Sequence, residues 1–283
     1  MSKTVVLLGY PLGHSLSPVF QQAAFDYYQM DTQYELREVS PDDLDKVVNS
    51  LREPSYPGAN VTIPHKQSVI PMMDDLDVLA SEIGAVNTIV NRSGRLVGYN
   101  TDASGFIKAL RQEGGFEPQK KSVVLLGAGG VARAIGFALV KAGVSSIDIT
   151  EKLMPDNAIG IKSSLESLGG IQVNVFKWDE TLIGDAVSHC DLLVNCTPMG
   201  MKHSPDEQCS PVSEDVIPST TFVYDVVYNP ADTVLLRKAR SAGAAGLGGL
   251  SMLVYQGAVS FELWTGKDAP VELMMETARK ALG

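Results

Sequence analysis

Apolar positions along the chain fall into short strand-like runs separated by stretches with helical spacing. Residues 5–8, 59–63 and 85–90 are rich in Val, Ile, Leu and Ala, residues 34–39 alternate Tyr34 and Leu36 with charged positions before Val39, and each predicts a strand. A short strand at 96–98 is expected to return from Val90 through the turn Asn91-Arg92-Ser93-Gly94. Between these runs, Leu44, Val47, Val48 and Leu51 share one helical face. Ser17-Pro18 reads as an N-cap followed by proline in the first turn. After Thr101-Asp102, residues 105–112 predict a helix leading into the second half, ended by the loop 113–118. Further strands are expected at 123–126, 147–150, 171–176, 192–195 and 222–226, and helices over 250–264 and 271–282. This alternation predicts an α/β fold with mainly parallel sheets.

Length and composition add limits. With 283 residues, 45% of them hydrophobic, the chain is long enough for two domains, each with its own core. No apolar run approaches the roughly 20 residues that span a bilayer, and the first run is too short for a secretion signal, so a cytoplasmic protein is expected. The three cysteines form no Cys-x-x-Cys pair and no histidine spacing suggests zinc, so no metal is expected. A net charge of -10 argues against a nucleic-acid partner. It also means that an anionic substrate must be attracted by its site, against the field of the whole protein.

The run Val123-Val124-Leu125-Leu126 has the unbroken apolar character of a central parallel strand. Gly127, Ala128, Gly129, Gly130, Val131 and Ala132 follow at once and fit G-x-G-x-x-A. Gly127 suits the tight turn, Gly129 lets backbone approach a pyrophosphate, and Ala132 lets the helix sit close to the strand. The helix then continues through 134–141, with Gly143 as its stop, and its N-terminus favours an anion. Strand, glycine turn, helix and second strand together point to a dinucleotide site, which by itself leaves the reaction open. The second strand ends in Glu151-Lys152. Glu151 stands roughly 20 positions after the glycines, where a carboxylate binds a ribose 2′-OH and repels a 2′-phosphate. Lys152 pulls the other way, and both side chains are also compatible with a solvated loop tip. The reading leans towards NAD over NADP.

The first hundred residues carry the other polar groups. Ser15 and Ser17 lie beside a helix N-terminus, a suitable carboxylate site. Asn60, Thr62 and Lys66 follow a strand end, as do Asn87-Thr88 and Asn100-Thr101-Asp102. These runs, in order, resemble the shikimate dehydrogenase family over nearly the whole chain. They comprise G-x-P-x-x-H-S-x-S-P at 9–18, N-V-T-I-P-H-K at 60–66, G-A-V-N-T at 84–88 and G-Y-N-T-D at 98–102. GAGG at 127–130, N-C-T-P-M-G at 195–200, D-V-V-Y-N-P at 225–230 and M-L-V-Y-Q-G-A at 252–258 complete the set.

The resemblance implies reversible reduction of 3-dehydroshikimate to shikimate. It assigns the substrate carboxylate to Ser15 and Ser17, catalysis to Lys66 and Asp102, and the ring hydroxyls to Asn87, Thr62, Tyr228 and Gln256. It places Val226, Gly249 and Met252 at the nicotinamide and Thr197, within 195–200, near the cofactor. The chemistry is consistent, because hydride transfer to a ketone needs a proton donor at its oxygen and a cation to steady the developing charge. NADP-using members carry Asn-Arg-Thr where this chain has Glu151, Lys152 and Leu153, so NAD or dual use is open. An intact Ser17 favours shikimate over quinate. His14 and His65 read as loop histidines bonding to backbone. The expected architecture is a substrate domain, 1–102 plus 250–283, and a doubly wound, Rossmann-type dinucleotide-binding domain, 103–249. The chain crosses between the two twice, so hinge closure around the ligands is expected. The expected partner is a small molecule, and the expected assembly a monomer or homodimer. The rivals are a quinate or aminoshikimate dehydrogenase with NAD preference, and a catalytically silent cofactor-binding module.

Overall fold

The computed structural model describes residues 2–12, 15–152 and 155–283. Two compact units divide the chain. Met1–Gly105 with Leu253–Ala281 and Gly283 form the first, and Phe106–Met252 with Leu282 form the second.

The first unit runs β1 (Lys3–Gly9), α1 (Ser17–Tyr27), β2 (Thr32–Glu38), α2 (Leu44–Ser50), β3 (Gly58–Val61), β4 (Asp75–Leu76), α3 (Val78–Ile83), β5 (Thr88–Arg92), β6 (Arg95–Tyr99) and the first turn of α4 (Asp102–Gln112). Its six strands pair in the order β2-β1-β3-β5-β6-β4. β1 is parallel to both β2 and β3, whereas β5 is antiparallel to β3 and β6. The β5–β6 hairpin closes through Ser93 and Gly94, both left-handed at φ 56 and 90. The Gly94 N–H donates to the Asn91 side chain at 2.7 Å, which holds that turn. Val6, Leu8, Val61, Ile89 and Leu96 from the sheet, with Val86 just before β5, bury against Leu44, Val48 and Leu51 of the α2 region.

Local signals explain the departures from pattern. Ser17 was expected to cap α1, but the cap position is Leu16 and Ser17 is the first helical residue. Ser15 Oγ accepts from the Ser17 N–H at 3.2 Å, so the Ser17 hydroxyl is not used as a cap. β4 and α3 are too short to show a period. α3 is set by its ends: Asp77 accepts from the N–H groups of Leu79 and Ala80, and Gly84 ends the helix at φ 69.

The second unit contains the rest of α4, then β7 (Ser122–Leu126), α5 (Gly130–Lys141), β8 (Ser146–Glu151), α6 (Pro155–Ser167), β9 (Gln172–Lys177), α7 (Glu180–Ser188), β10 (Leu192–Asn195), β11 (Phe222–Asp225), α8 (Val234–Ser241) and β12 (Gly246–Gly248). The sheet is parallel throughout, in the order β12-β11-β10-β7-β8-β9. The chain builds outward from β7 to β9, returns to β10 on the other side of β7, and builds outward again. This doubly wound order reverses between β7 and β10, and ligands of such sheets bind at the carboxyl ends of the strands beside the reversal. The glycine-rich β12 carried no apolar pattern and was not expected from the sequence.

α9 (Leu250–Thr265) begins in the second unit and continues into the first, which α10 (Val271–Leu282) closes. The divisions at 105/106 and 252/253 lie inside α4 and α9. Among the described residues, no helix is long and apolar enough to cross a membrane.

Candidate active site

In the first unit, polar side chains gather where β3, β5 and β6 end. Lys66 follows β3, and its carbonyl is pinned by the Val86 N–H at 2.7 Å. Its Nζ donates to Asp102 Oδ2 at 2.6 Å. The two side chains are 14% and 6% exposed, so the pair is sheltered, with the ammonium at the more open end. Asp102 opens α4, where helix N–H groups favour an anion. Asn100 Oδ1 takes the N–H groups of Asp102 and Ala103, capping that helix.

Asn87 completes the cluster. Its Nδ2 lies 2.9 Å from Asp102 Oδ1, 2.9 Å from Thr101 Oγ1 and 3.2 Å from Gln256 Oε1. Its Oδ1 accepts the Thr101 N–H at 2.8 Å. Gln256 approaches because Gly105 lacks a side chain: a Cβ there would lie 2.8 Å from the Gln256 backbone nitrogen.

The network continues towards α1. Asn60 Nδ2 donates to Thr88 Oγ1 and Ser260 Oγ, each at 3.1 Å. The Tyr34 hydroxyl donates to Asn60 Oδ1 at 2.7 Å and also bonds to Ser17. Burial pushes the Tyr34 phenol far above its ordinary range, so it remains a neutral donor. Thr62 follows β3 directly beside the end of β1, where a Cβ on Gly9 would lie 2.5 Å from its methyl group.

The second unit offers a backbone site. Gly127 has φ +101, and a Cβ there would meet Thr197 Cγ2 at 3.0 Å, so the turn packs on the segment after β10. This contact lies at the reversal of strand order. Gly129 caps α5 with no side-chain bond, and a Cβ there would meet no protein atom within 4 Å. Ala128 and Ala132 are buried beneath the turn. A helix N-terminus with open space above its cap glycine fits a pyrophosphate. The Ala128 N–H donates to Glu151 Oε2 at 2.7 Å, which sets that carboxylate beside the turn, while Lys152 is exposed. Further along, Gly249 packs on Val226 so closely that a Cβ would lie 2.0 Å from its carbonyl oxygen.

Comparison with known proteins decides the family. Residues 7–89 match the model of the shikimate dehydrogenase substrate binding domain, and residues 249–279 that of the shikimate 5'-dehydrogenase C-terminal domain. A shikimate dehydrogenase (NADP(+)) from Moorella thermoacetica is 42% identical over 99% of this chain and 93% of its own length. The chain belongs to the shikimate dehydrogenase family. A solved shikimate 5-dehydrogenase from Listeria monocytogenes, in complex with shikimate and NAD, superposes with a TM-score of 0.88 at 34% identity, covering 97% of this chain and 96% of that one. A quinate dehydrogenase from Corynebacterium glutamicum, in complex with NAD, gives 0.88 at 31% identity, covering 99% of each chain.

For a shikimate dehydrogenase family member, the residues singled out from sequence group as follows. Lys66, Asp102, Asn87 and Gln256 form one bonded cluster, and Ser17 joins it through Tyr34 and Asn60. Ser15 bonds to the Ser17 backbone, and Thr62 stands at the end of β3. Tyr228 lies in the second unit, half-buried after β11, with Val226, Gly249 and the buried Met252. His65 is 1% exposed with Nε2 2.7 Å from the Val39 carbonyl oxygen, a structural position. His14 and Leu153 lie outside the described residues. Sequence reasoning missed Tyr34 and Ser260, which sit in ordinary amphipathic patterns, and Asn195 and Asp225, which were quoted in motifs without a role.

Proposed function

We propose that this protein catalyses the reversible, NAD(P)-dependent reduction of 3-dehydroshikimate to shikimate, with the first unit holding substrate and the second holding the cofactor. The sheltered Lys66–Asp102 ion pair, bonded to Asn87 in a chain of this family, carries the reading. Ser15 and Ser17 take the substrate carboxylate, which they attract locally despite the acidic net charge. Asn87, Thr62, Gln256 and Tyr228 orient the ring hydroxyls. Asp102 holds one Lys66 N–H and leaves two to point elsewhere. Lys66 Nζ gives a proton to the reacting oxygen during reduction and takes it back during oxidation. Its positive charge also steadies the alkoxide as it develops.

The residues for a dinucleotide are Gly127, Ala128, Gly129, Gly130, Val131 and Ala132 at the pyrophosphate, Thr197 beside the turn, and Val226, Gly249 and Met252 at the nicotinamide. Bound there, NAD(P)H supplies the hydride. The Moorella relative is named for NADP(+), and the Listeria structure holds NAD. For this chain we propose NAD use, alone or together with NADP. Support comes from Glu151, whose acidic side chain at the end of β8 would repel a 2′-phosphate, with Lys152 as the opposing charge. The intact Ser17 supports shikimate over quinate. We place the enzyme in the cytoplasm as a monomer or homodimer, which sedimentation of the purified protein distinguishes.

The test is kcat/KM for shikimate and for quinate, each with NAD and NADP. Shikimate is expected to lead, with NAD at least matching NADP. A quinate preference, or no turnover with either acid, would sink the substrate assignment. An NADP preference of about tenfold, or about 1.4 kcal/mol, would sink the reading of Glu151.

A further inference from the structure

Asp225 is fully buried at the end of β11, and no basic side chain bonds to it in the described structure. Three donors converge on its carboxylate. Thr233 Oγ1 donates to Oδ2 at 2.6 Å, Asn195 Nδ2 to Oδ1 at 2.9 Å, and the Val227 N–H to Oδ1 at 3.1 Å. Each donor belongs to a segment near the glycine turn or the strand ends around it. Thr233 is the N-cap of α8, accepting the Leu236 N–H. Val227 follows Val226, on which Gly249 packs, and its carbonyl accepts the Gly249 N–H at 3.1 Å. Asn195 uses its other end on Thr197: Oδ1 accepts the Thr197 N–H at 3.1 Å and its hydroxyl at 2.7 Å. Thr197 is the residue that Gly127 packs against.

An amide has a donor end and an acceptor end, and nothing in its shape says which way round it sits. A carboxylate accepts only, as does the Met199 carbonyl 3.3 Å from Nδ2, so Asn195 turns Nδ2 to Asp225, its shorter partner at 2.9 Å, and Oδ1 to the Thr197 N–H. We propose that Asp225 is a positioning residue for cofactor binding, fixing the Asn195 amide and through it Thr197, and anchoring Val226 through the Val227 N–H. This rests on the reading of the second unit as the dinucleotide site.

Burial pushes the Asp225 carboxyl up to about 6, against the three bonds, which favour its ionised form. Its titratable neighbours stay neutral: burial raises the Tyr224 phenol and, with the carboxylates of Asp225 and Glu151 adding, the Cys196 thiol. On α8, Arg237 and Arg240 pair with the exposed Asp232, and Lys238 donates to the Val212 carbonyl. β12 carries no ionisable group. Above about pH 6 Asp225 is an acceptor on both oxygens. Below it one oxygen carries a proton, the charge-assisted bonds weaken and Asn195 Nδ2 is left with its longer 3.3 Å bond to the Met199 carbonyl, so the Asn195–Thr197 link is held less firmly.

Calorimetric titration of the purified protein with NAD+ tests this, with NADP+ and shikimate in parallel. Wild-type affinity for NAD+ should fall about fivefold or more as pH drops from about 8 to about 5, while shikimate affinity shows no step at the same midpoint. Asp225→Asn should bind NAD+ weakly at every pH, with the step gone. Thr233→Val, which removes one bond to the ionised form, should move the midpoint upward, and Thr233→Ser should leave it in place. Should Asp225→Asn not fold, the two Thr233 variants decide. A flat wild-type profile, wild-type affinity in Asp225→Asn, or equal midpoints in both Thr233 variants would overturn the proposal. If the wild type bound shikimate but neither NAD+ nor NADP+ at about pH 8, the cofactor reading itself would fall, and the positioning role with it.

Discussion

The two polar regions of this chain are built in opposite ways. In the second unit the glycine turn is one short run of backbone, defined by where side chains are absent: Gly127 at φ +101 against Thr197, and Gly129 with open space above its cap. In the first unit the site is all side chain. Lys66, Asn87, Asp102 and Gln256 come from separate segments and meet through bonds of 2.6 to 3.2 Å. A backbone site is damaged by adding an atom. A side-chain network is damaged by removing one. Binding of a dinucleotide should therefore fail by steric change and strain, and chemistry by loss of a donor or charge.

Removal should be most severe at Lys66. Lys66→Ala is expected to lower kcat by roughly a thousandfold, within the range for a positioned proton donor, with shikimate affinity little changed. Near wild-type kcat in that variant would remove Lys66 from the chemistry. Addition is sharpest at Gly127. Gly127→Ala forces an L side chain into a conformation it rarely adopts and against Thr197, a penalty of about 1–3 kcal/mol from backbone strain. NAD+ affinity measured by titration should drop by about tenfold or more while shikimate binding persists. A joint loss of both would mean that the two regions do not separate in this way. The mildest effect belongs to the outer part of the network. Tyr34→Phe leaves the buried Asn60 Oδ1 without its 2.7 Å donor, at a cost of about 1–3 kcal/mol in urea unfolding, and kcat should stay within about twofold. A large fall in kcat would show that this outer part shapes the reacting geometry itself.

The same contrast explains what the sequence made legible. The β7 run, the glycine turn and α5 are contiguous, and each residue type has a local reason, so this half was readable directly. The doubly wound order followed from strand and helix alternation, apart from β12, whose Gly-Leu-Gly carries no pattern. The first unit gave less. Its strands were visible, but Tyr34 and Asn60 lie on β2 and β3, 26 residues apart, and no spacing rule brings them together. Lys66 and Asp102 are 36 positions apart, and were paired only through resemblance to a family. Ser17 shows how one local signal hides another use. Ser-Pro at a helix start reads as a cap, yet the hydroxyl bonds to Tyr34.

The central claim is that the chain moves a hydride from shikimate to a nicotinamide, with Lys66 taking the proton. Shikimate carrying deuterium on the carbinol carbon that becomes the ketone tests it most directly. The reduced nicotinamide, analysed by mass spectrometry after turnover with NAD+ or NADP+, should contain one deuterium per molecule, and Lys66→Ala should form it far more slowly with the same labelling. Reduced cofactor without the label, or label released to water, would contradict the account.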